Sequence, residues 1–388
     1  CVIISRSSAL KPKGRFYGPT NLLTELGKGF ANFGWQNAVM IGAALVLIYL
    51  AIVKEYEPVL LLPIGFGCLL ANLGMSNEVG FMQVIYDAGI KTELFPLLIF
   101  IGVGAMIDFS PLLSQPSLVL LGAAGQFGIY ATLMLALLLG FPLNQAASIG
   151  VIGAIDGPTA IFVGSKLAPE ILAPIAVAAY SYMSLIPIIQ PPIMKLMTTR
   201  KERLIRMEYS PKPVSRLTLV VFPIMVTLLV ALVAPDAAPL MAALMLGNLL
   251  REALVVDRLS KMAQNELINI ATLFLGLAIG STMTAASFLN LKTLAILALG
   301  LLAFVIDTVA GLLFGKLMAL ITHNKVNPLV GACGISAFPM AGRLSAKMAL
   351  EEDPSNFILM HAMGSNTAGQ LGSVIAGGLL LALVMGIH

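Results

Sequence analysis

Charge is scarce in this sequence. Asp, Glu, Lys and Arg together make up 11% of the 388 residues, whereas 58% are apolar. A soluble globular domain has roughly 25% charged residues and roughly 45–50% apolar ones. This chain therefore lacks the polar side chains that would cover the surface of a soluble fold. The scarcity excludes a disordered chain, a nucleic-acid-binding protein and an ordinary cytosolic enzyme. With a mean hydropathy of +0.94, the sequence indicates a membrane protein.

Several catalytic and nucleotide-binding patterns are also missing. The three cysteines have neither metal-ligand spacing nor the even count of a disulfide framework. The sequence has no Gly-rich phosphate loop ending in Lys-Ser/Thr, which argues against an ATP-driven pump. It also has no His-Glu-x-x-His motif and no nucleophile elbow. The energy source of this protein is therefore not a nucleotide bound in a recognised way.

Long apolar runs dominate what is present, and they predict an all-α polytopic membrane protein. A polar stretch divides these runs into two sets of six. The first set comprises Trp35–Val53, Val59–Met75, Leu94–Ile107, Ser117–Gly140, Gln145–Leu167 and Ile171–Met194. The second set comprises Thr218–Ala234, Pro239–Leu250, Leu267–Ala286, Thr293–Ile321, Pro328–Met348 and Phe357–Gly386.

The domain organisation follows from this division. We predict an N-terminal interfacial segment over 1–34, a first membrane repeat over 35–194, a basic loop over 195–217 and a second membrane repeat over 218–388. The loop carries seven Lys and Arg residues against two Glu. By the positive-inside rule, it is expected to be cytoplasmic.

The two membrane sets are related by an internal duplication. The stretch 150–160, GVIGAIDGPTA, aligns with 331–341, GACGISAFPMA, at an offset of 181 residues (331 minus 150). Pro58 and Pro239 match at the same offset, and two further glycine pairs match at 174 and 175 (276 minus 102, 315 minus 140). A nearly constant offset across several elements indicates two homologous repeats, which we expect to be inverted.

Gly and Pro interrupt the fifth and sixth segments of both halves, so these helices are predicted to be broken or re-entrant. Backbone that leaves a helix at membrane depth needs protein or a water-filled cavity around it. Matched breaks in two repeats are typical of an ion site near the bilayer midplane. Freed carbonyls, hydroxyls and a carboxylate are the ligands that Na⁺ prefers, so we expect this site between the breaks near Asp156 and Asn366.

Asp156 is the strongest candidate for the ion-binding carboxylate. It lies in Gly-Ala-Ile-Asp-Gly-Pro-Thr, between apolar residues. A carboxylate at the centre of a membrane helix costs roughly 2.5–3.5 kcal/mol on insertion scales, so it is rare there without a task. Thr159 lies one turn further on and can supply a hydroxyl to the same site. The structural alternatives are a helix N-cap or an ion pair for Asp156 and a bond to its own helix for Thr159.

The sixth segments carry hydroxyl and amide side chains that can line the same cavity. In the second half these are Asn366, Thr367, Gln370 and Ser373. The first half has Tyr180 and Tyr182 with two serines, shortly before Pro187. Hydrogen bonding between helices and close packing of small residues are the alternative explanations.

Three other polar residues in apolar runs have more than one interpretation. Asp108 is predicted to be either a boundary residue or a capping residue of a helix. Asp307 is predicted either to pair with Arg343 or Lys347 or to handle a proton or an ion. His361 is either a proton carrier or a satisfied residue of the bundle.

Long motifs resemble the β subunit of the sodium-pumping biotin-dependent decarboxylases. They are GAIDGPTAI at 153–161, AAYSYMSLIPIIQPPIMK at 178–195, HAMGSN at 361–366, KEYEPVLLLPIGFG at 54–67 and FPMAGR at 338–343. The resemblance runs from about Trp35 to the C-terminus, so it covers most of the chain.

The resemblance implies a subunit that decarboxylates carboxybiotin, exports Na⁺ with the free energy released and consumes a proton. Carried over by motif, Asp156 is the carboxylate linked to Na⁺ and H⁺, and Tyr182, Asn366 and Ser373 support the ion path. The implied partners are a carboxyltransferase α subunit, a biotin carrier protein that presents the carboxybiotin, a small membrane subunit (γ or δ) and further copies of the β subunit. The implied location is the inner membrane.

One departure favours a branch of this family. The oxaloacetate branch has a long insertion between the second and third segments and a Pro before its counterpart of Asn366. Here the connection from Met75 to Glu93 is short and Ser365 occupies the second position. This favours an acyl-CoA substrate, methylmalonyl-CoA or glutaconyl-CoA. Without the resemblance, a secondary transporter that does not decarboxylate explains the repeats and Asp156 equally well.

Overall fold

The fold was analysed in a computed structural model that describes residues 33–56, 58–75, 80–207 and 213–387. The described residues form α-helices with short 3₁₀ and π turns and no strands. This confirms the all-α fold class. The predicted interfacial segment 1–34 lies almost entirely outside the described residues.

Eleven helices make up the described part of the first half. Their bounds are Trp35–Val53 (α1), Pro58–Asn72 (α2), Gly80–Tyr86 (α3), Leu94–Met106 (α4), Ser110–Ser114 (α5), Leu118–Ala124 (α6), Phe127–Leu138 (α7), Leu143–Gly150 (α8), Gly157–Leu167 (α9), Leu172–Ser184 (α10) and Ile186–Met197 (α11). A 3₁₀ turn, Val151–Ala154, follows α8, and a π turn, Asp87–Lys91, follows α3.

In the described residues of the connecting loop there is one short helix, and eight helices follow it within 213–387. Their bounds are Arg200–Arg203 (α12), Arg216–Val233 (α13), Ala238–Ala253 (α14), Asp257–Met262 (α15), Ile268–Thr282 (α16), Ala285–Phe288 (α17), Leu291–Ile321 (α18), Met340–Glu352 (α19) and Leu359–Ile387 (α20). A π turn, Ala263–Leu267, joins α15 to α16, and a 3₁₀ turn, Pro328–Cys333, precedes α19. The helices flanking the loop extend into its predicted range of 195–217 at both ends.

The order of elements in the first half recurs in the second. Among the described residues of both halves, two helices are followed by a helix, a π turn and a further helix, then by a short helix, a long helical element, a 3₁₀ turn, a helix and a final long element. The first half has one additional helix, α8, before its 3₁₀ turn. The π turns begin 176 residues apart (263 minus 87). The duplication predicted from sequence offsets is thus present in the helical order. The inverted orientation of the repeats stays a prediction.

The two repeats pack reciprocally through glycines. Helix α2 crosses α16, and its counterpart α14 crosses α4, which is the counterpart of α16. A Cβ atom added at Gly67, Gly280, Gly104 or Gly247 would lie 1.9 to 2.6 Å from a backbone carbonyl oxygen of the facing helix. Only glycine allows these approaches, and the two crossings use glycines at equivalent places. The repeats therefore share one interior.

Within the part of the chain that the structure describes, six helical elements are long and apolar enough to cross a membrane, or up to eight if two bent helix pairs each count as one span. The six are Trp35–Val53, Leu118–Leu138, Arg216–Val233, Asp257–Thr282, Leu291–Ile321 and Leu359–Gly386. Helices α1 and α13 occupy equivalent places and are the least buried of these windows, at 17% and 11%. Their apolar surfaces suit contact with lipid.

One prediction about the breaks was wrong. The fifth segments are broken in both halves, and the sixth is broken in the first half, between α10 and α11. In the second half, however, α20 runs without interruption through 359–387, and Asn366 lies inside it. Close packing explains why the helix continues: Gly369 and Gly378 each face the backbone of a neighbouring element too closely for a side chain.

The loop between the repeats is fastened to the second repeat. The Arg203 guanidinium bonds Glu352 at 2.7–2.8 Å, and the Arg206 guanidinium bonds Asp353 at the same distances. The backbone carbonyls of Arg203 and Ile205 each accept from the buried amides of Asn327 and Asn356 at 2.8–3.2 Å. We call these contacts the loop latch. It joins the end of the first repeat to both ends of the 327–356 segment.

The loop latch is expected to open in acid. Hydrogen bonds from Ser355 and then the Arg206 guanidinium lower the pKa of Asp353 to about 2, and Arg203 lowers the pKa of Glu352. In unfolded chains these carboxyls titrate near pH ~4. Because the folded pKa values are lower, the ionised groups stabilise the latch fully above about pH 4, and this stabilisation is lost as the pH falls towards the folded values.

Hydrogen exchange of the 198–207 amides, corrected for intrinsic rates, measures this opening. Asp353→Asn should weaken the pH dependence. Glu351→Gln should leave it unchanged, because Glu351 forms no ion pair among the described residues. Protection that stays constant from about pH 6 to about pH 2 would contradict the predicted opening.

Candidate ion site at the crossing of two helix breaks

Asp156 lies where the first repeat leaves its helix. Ile155 adopts a left-handed conformation with φ +52°, and Asp156 is extended with φ −128° and ψ 96°. Asp156 then occupies the N-cap position of α9, whose second residue is Pro158. The Pro ring favours a helix start at this point, since it needs no hydrogen-bonded amide. The local sequence therefore turns the Asp156 side chain out of the helical path.

Three side chains donate hydrogen bonds to one oxygen of the Asp156 carboxylate. Oδ2 accepts from Thr159 Oγ1 at 2.7 Å, from Ser373 Oγ at 2.8 Å and from Gln370 Nε2 at 2.9 Å. All four residues are buried, and Asp156 itself is 5% exposed. Among the described residues, no Lys or Arg lies within ion-pair distance of this carboxylate. The charge is therefore held by neutral hydrogen-bond donors from both repeats.

The second break crosses the first. Residues 334–339 leave the helical path between the 3₁₀ turn and α19. The Ser336 amide donates to the carbonyl of Ala154 at 3.3 Å, which joins the two breaks directly. The Ser336 hydroxyl donates to the carbonyl of Gly369 in α20 at 3.0 Å. The bond between Ser336 and Ala154 therefore gives each break a backbone hydrogen-bond partner in the other repeat.

Buried amide side chains fix the second break in place. Gln126 lies between α6 and α7, and its Nε2 donates to the carbonyls of Gly334 and Gly369 at 3.1 and 3.2 Å. Asn366 Nδ2 donates to the carbonyl of Ile335 at 2.6 Å. Carbonyls freed from a helix need such partners, because lipid offers none. These side chains therefore position the carbonyls of the break relative to Asp156.

A cavity of about 270 Å³ opens beside Asp156. Its polar lining groups are Asp156, Ser336, Gln370, Tyr180 and Thr272. Apolar side chains of α2, α4, α10 and α16, together with apolar residues of the two breaks and the helix starts that follow them, form the rest of the wall. At about 30 Å³ per water molecule, this volume holds an ion together with several waters. The cavity therefore leaves room for water beside the carboxylate inside an apolar fold.

The same side chains can serve the carboxylate in two ways. Without a cation, the two hydroxyls and the amide donate to the negative oxygen. A hydroxyl oxygen also has lone pairs, and a half-turn of the Gln370 amide presents its oxygen in place of its nitrogen. The set then offers a carboxylate, two hydroxyls and an amide oxygen, which are the hard ligands that a cation such as Na⁺ takes. The geometry can therefore hold either a proton or a small cation at Asp156.

The structure brings together some of the predicted site residues and separates others. Asp156, Thr159 and Ser373 meet as predicted, and Gln370 of the predicted lining joins them. Asn366 does not contact Asp156; it bonds the second break instead. Tyr182 lies apart, since its hydroxyl donates to the carbonyl of Leu297 in α18. The roles given to these residues stay predictions.

Ser336 is a cavity residue that sequence reasoning missed. It is the counterpart of Ile155 at the offset of 181 residues that relates the repeats (336 minus 155). One signal in the sequence could have identified it. Its hydroxyl aligns with Ile155, the residue at which the first repeat begins its break. Tyr180 faces the site as well, because a Cβ atom on Gly157 would lie 2.1 Å from its ring.

The predicted ion pair of Asp307 was wrong. Asp307 is fully buried in α18, and its carboxylate accepts from the Gly128 amide. It forms no ion pair with Arg343 or Lys347, because Arg343 and Lys347 are exposed. Asp108 lies two residues before α5, whose N-cap position is Phe109, and accepts from the Ser110 amide at 2.8 Å, as expected of a boundary residue.

Comparison with known proteins identifies the family. A sequence family described as the Na⁺-transporting oxaloacetate decarboxylase beta subunit matches residues 36–384. The methylmalonyl-CoA decarboxylase subunit beta of Veillonella parvula is 53% identical over 92% of this chain and 95% of its own length. The glutaconyl-CoA decarboxylase subunit beta of Acidaminococcus fermentans is 52% identical over 92% and 96%.

A relative from the oxaloacetate branch is similar over the same part of the chain. The oxaloacetate decarboxylase beta chain 2 of Salmonella typhi is 46% identical, with 92% of this chain and 98% of that protein covered. Its alignment is 423 residues long, more than the 388 residues of this chain, so that relative carries inserted residues. The matched region contains both breaks and both repeats. The chain therefore belongs to the family of β subunits of Na⁺-transporting decarboxylases, which are multi-pass proteins of the inner membrane.

Proposed function

We propose that this chain decarboxylates carboxybiotin and uses the free energy released to export Na⁺, with consumption of one proton for each carboxyl group removed. The observation that carries the proposal is the Asp156 carboxylate, buried where two helix breaks cross and bonded by Thr159, Gln370 and Ser373. A buried carboxylate without a cationic partner is costly unless it has a task. Binding of an exchangeable cation is a task that fits its ligands and its cavity.

The chemistry consumes a proton. When carboxybiotin loses CO₂, the bond between its ureido nitrogen and the carboxyl carbon breaks, and the electron pair stays on the nitrogen. That nitrogen takes up a proton as the CO₂ leaves. Na⁺ and H⁺ compete for Asp156, so Na⁺ that binds there displaces a proton. Alternation of the two cations at Asp156 links proton uptake by biotin to Na⁺ movement.

The ion path needs access from both sides of the membrane in turn. The crossing of the breaks belongs to elements of both repeats, so rearrangement of one repeat against the other changes which side the Asp156 cavity faces. Tyr182, Asn366 and Ser373 support this path in the proposal. Ser373 bonds Asp156 directly, and Asn366 positions the second break. Tyr182 donates a hydrogen bond to the carbonyl of Leu297 in α18.

The proposed assembly follows the family. A carboxyltransferase α subunit loads the biotin of a carrier protein, a small membrane subunit (γ or δ) joins them, and several copies of this chain associate. The substrate we propose is an acyl-CoA, methylmalonyl-CoA or glutaconyl-CoA. The support is the short connection between Met75 and Glu93, together with higher identity to acyl-CoA relatives (53% and 52%) than to an oxaloacetate relative (46%).

CO₂ release by the purified complex tests the proposal. We expect it to require Na⁺ and to stop when avidin blocks the biotin. A secondary transporter without decarboxylase activity would move Na⁺ whether or not avidin is present. Vesicles that accumulate ²²Na⁺ without CO₂ release, unaffected by avidin, would therefore contradict the proposed function.

A further inference from the structure

An ion pair joins helices α4 and α9 away from the cavity beside Asp156. Lys166 Nζ, near the end of α9, lies 3.3 Å from Glu93 Oε1. Glu93 lies between a π turn and α4, where the chain bends by 59°, and its φ of +61° is uncommon for a residue other than glycine. Its side chain makes no hydrogen bond to the start of α4. We call this contact the α4–α9 ion pair.

The ion pair and the cavity lie at opposite ends of the contact between the two helices. Helix α9 starts after Asp156, and α4 ends with Met106, which lines the cavity. Lys166 is ten residues beyond Asp156 (166 minus 156), a rise of about 15 Å, and Glu93 immediately precedes α4. Phe162, one turn before Lys166, is fully buried, and its ring centre lies 4.7 Å from Lys166 Nζ. Beyond the cavity, α9 therefore presents a buried ring and then the ion pair.

Contacts of the neighbouring helices place the ion pair on the side away from the loop latch. The span Leu118–Leu138 starts beside Gly364, near the start of α20, which follows the loop latch in the chain. Helix α8 begins just after the other end of this span, and there Asn144 Nδ2 donates to the carbonyl of Leu167 at 2.9 Å. The end of α9 therefore lies across the membrane from the loop latch. Since the loop is predicted to be cytoplasmic, the ion pair faces the outer side.

Among the described residues of the second repeat, this ion pair has no counterpart. Lys347 matches Lys166 at the offset of 181 residues (347 minus 166), and it is exposed and forms no ion pair there. Helix α16 begins 174 residues after α4 (268 minus 94), so Leu267 occupies the place of Glu93. Met106, at the far end of α4 from Glu93, is 41% exposed. The cavity is therefore accessible towards the loop latch and closed towards the outer side.

On the basis of the proposed function, we infer that the α4–α9 ion pair is the outer gate of the ion path. It closes the route between Asp156 and the outer side while Na⁺ enters from the inner side. Lys166 and Glu93 separate when α9 moves against α4, and Na⁺ then leaves outwards. The two side chains are 30% and 19% exposed, and a partly exposed ion pair is weak enough to break in every cycle.

Reversible cross-linking in the full complex, reconstituted in vesicles, tests whether this pair must open. Glu93→Cys and Lys166→Cys are combined in a Cys1→Ser background, in which Cys68 and Cys333 are buried. A short bis-methanethiosulfonate then joins the two new thiols. With the carboxylated carrier protein as the probe, we expect cross-linking to lower steady-state CO₂ release at least about tenfold, since a closed gate blocks release of the transported ion. Dithiothreitol should restore the rate.

A second measurement and a matched control show where the cross-link acts. In detergent, the cross-linked complex should bind ²²Na⁺ with the wild-type affinity, because the cavity stays accessible from the inner side. Asp87 and Lys91 form an ion pair at 2.7 Å within one π turn close to Glu93. The same cross-link between Asp87→Cys and Lys91→Cys joins residues of a single element, so it should leave CO₂ release unchanged.

Glu93→Gln tests the closed state of the gate. We expect passive ²²Na⁺ efflux from loaded vesicles, without carrier protein, to rise about threefold, since a partly exposed ion pair contributes modestly to the closed state. The charge swap Glu93→Lys with Lys166→Glu should return efflux to the wild-type rate. Adding Asp156→Asn to Glu93→Gln should abolish the rise, because the ion then has no site on the path. Asp87→Asn removes a nearby carboxylate outside the path and should leave efflux unchanged.

The outcomes separate this inference from the proposed function. Wild-type complex without Na⁺-dependent CO₂ release would contradict the proposed function itself. In an active complex, turnover that the Glu93–Lys166 cross-link does not slow would overturn the gate alone. So would loss of ²²Na⁺ binding on cross-linking, because the pair would then support the ion site and not its outer opening. Unchanged efflux in Glu93→Gln would overturn the gate as well, even if the cysteine variants do not assemble.

Discussion

Asp156→Asn is expected to abolish Na⁺-stimulated CO₂ release and Na⁺ transport together. The amide keeps the size of the side chain but removes its negative charge. The three groups that contact Asp156 Oδ2 are neutral, so no other charge replaces it. Loss of one partner of a buried ion pair costs about 3–5 kcal/mol, which is a factor of about a few hundred to a few thousand in affinity. ²²Na⁺ uptake and CO₂ release in the same vesicles measure both effects.

Asp307→Asn is the matched control, because it makes the same chemical change at another buried carboxylate. The Asn carbonyl oxygen can still accept from the Gly128 amide. We expect this variant to keep at least about half of the wild-type rate, since a neutral isostere preserves the hydrogen bond. An Asp156→Asn complex that still pumps Na⁺ would remove Asp156 from the mechanism.

Gly369→Ala is expected to have the second largest effect. An added Cβ atom would lie 2.3 Å from the carbonyl oxygen of Gly334 and 2.7 Å from that of Ile335. Both carbonyls belong to the second break, so α20 and the break must move apart. The Ser336 hydroxyl bond to Gly369 then lengthens. Because a shift of about 1 Å in a catalytic arrangement can cost about hundredfold, we expect a loss of that size in Na⁺-dependent CO₂ release.

Gly386→Ala makes the same substitution in the same helix, where an added Cβ atom meets nothing within 4 Å. We expect no change in rate there. Melting temperature and size-exclusion profile report whether Gly369→Ala still folds, and the Na⁺ concentration for half-activation reports the site. A folded Gly369→Ala complex with the wild-type Na⁺ response would show that the approach of α20 to the break does not set the ion site.

The architecture could be predicted because lipid constrains sequence strongly. The length of each apolar run indicates a helix at membrane depth. The Gly and Pro residues that recur at matching positions in both halves indicate where both repeats break. Asp156 stood out for the same reason, since a carboxylate in an apolar run is rare without a task. The break predicted near Asn366 was wrong, because Asn366 lies inside a continuous helix and donates to the carbonyl of Ile335 in the other break of that repeat.

The remaining details depend on packing, which a single sequence does not report. The bend at Leu185 separates α10 from α11, and the Tyr182 hydroxyl reaches α18. The glycines of α20 suggested a break, but they instead allow the continuous helix to approach its neighbours. Gly costs a helix about 1 kcal/mol relative to Ala, and close contact offsets this cost. The hydroxyl of Ser336 was a weak signal, because a lone hydroxyl is equally common in ordinary packing.

Both repeats contain a helix break, but only the break of the first repeat carries a carboxylate. Asp156 aligns with Ala337, so the second break lacks the carboxylate of the first. Two carboxylates facing each other across the crossing would repel, and one would hold a permanent proton. With a single negative charge, one monovalent cation restores neutrality, and a second would leave the crossing positive. In the proposed mechanism, the single carboxylate at the crossing is therefore neutralised by one monovalent cation at a time.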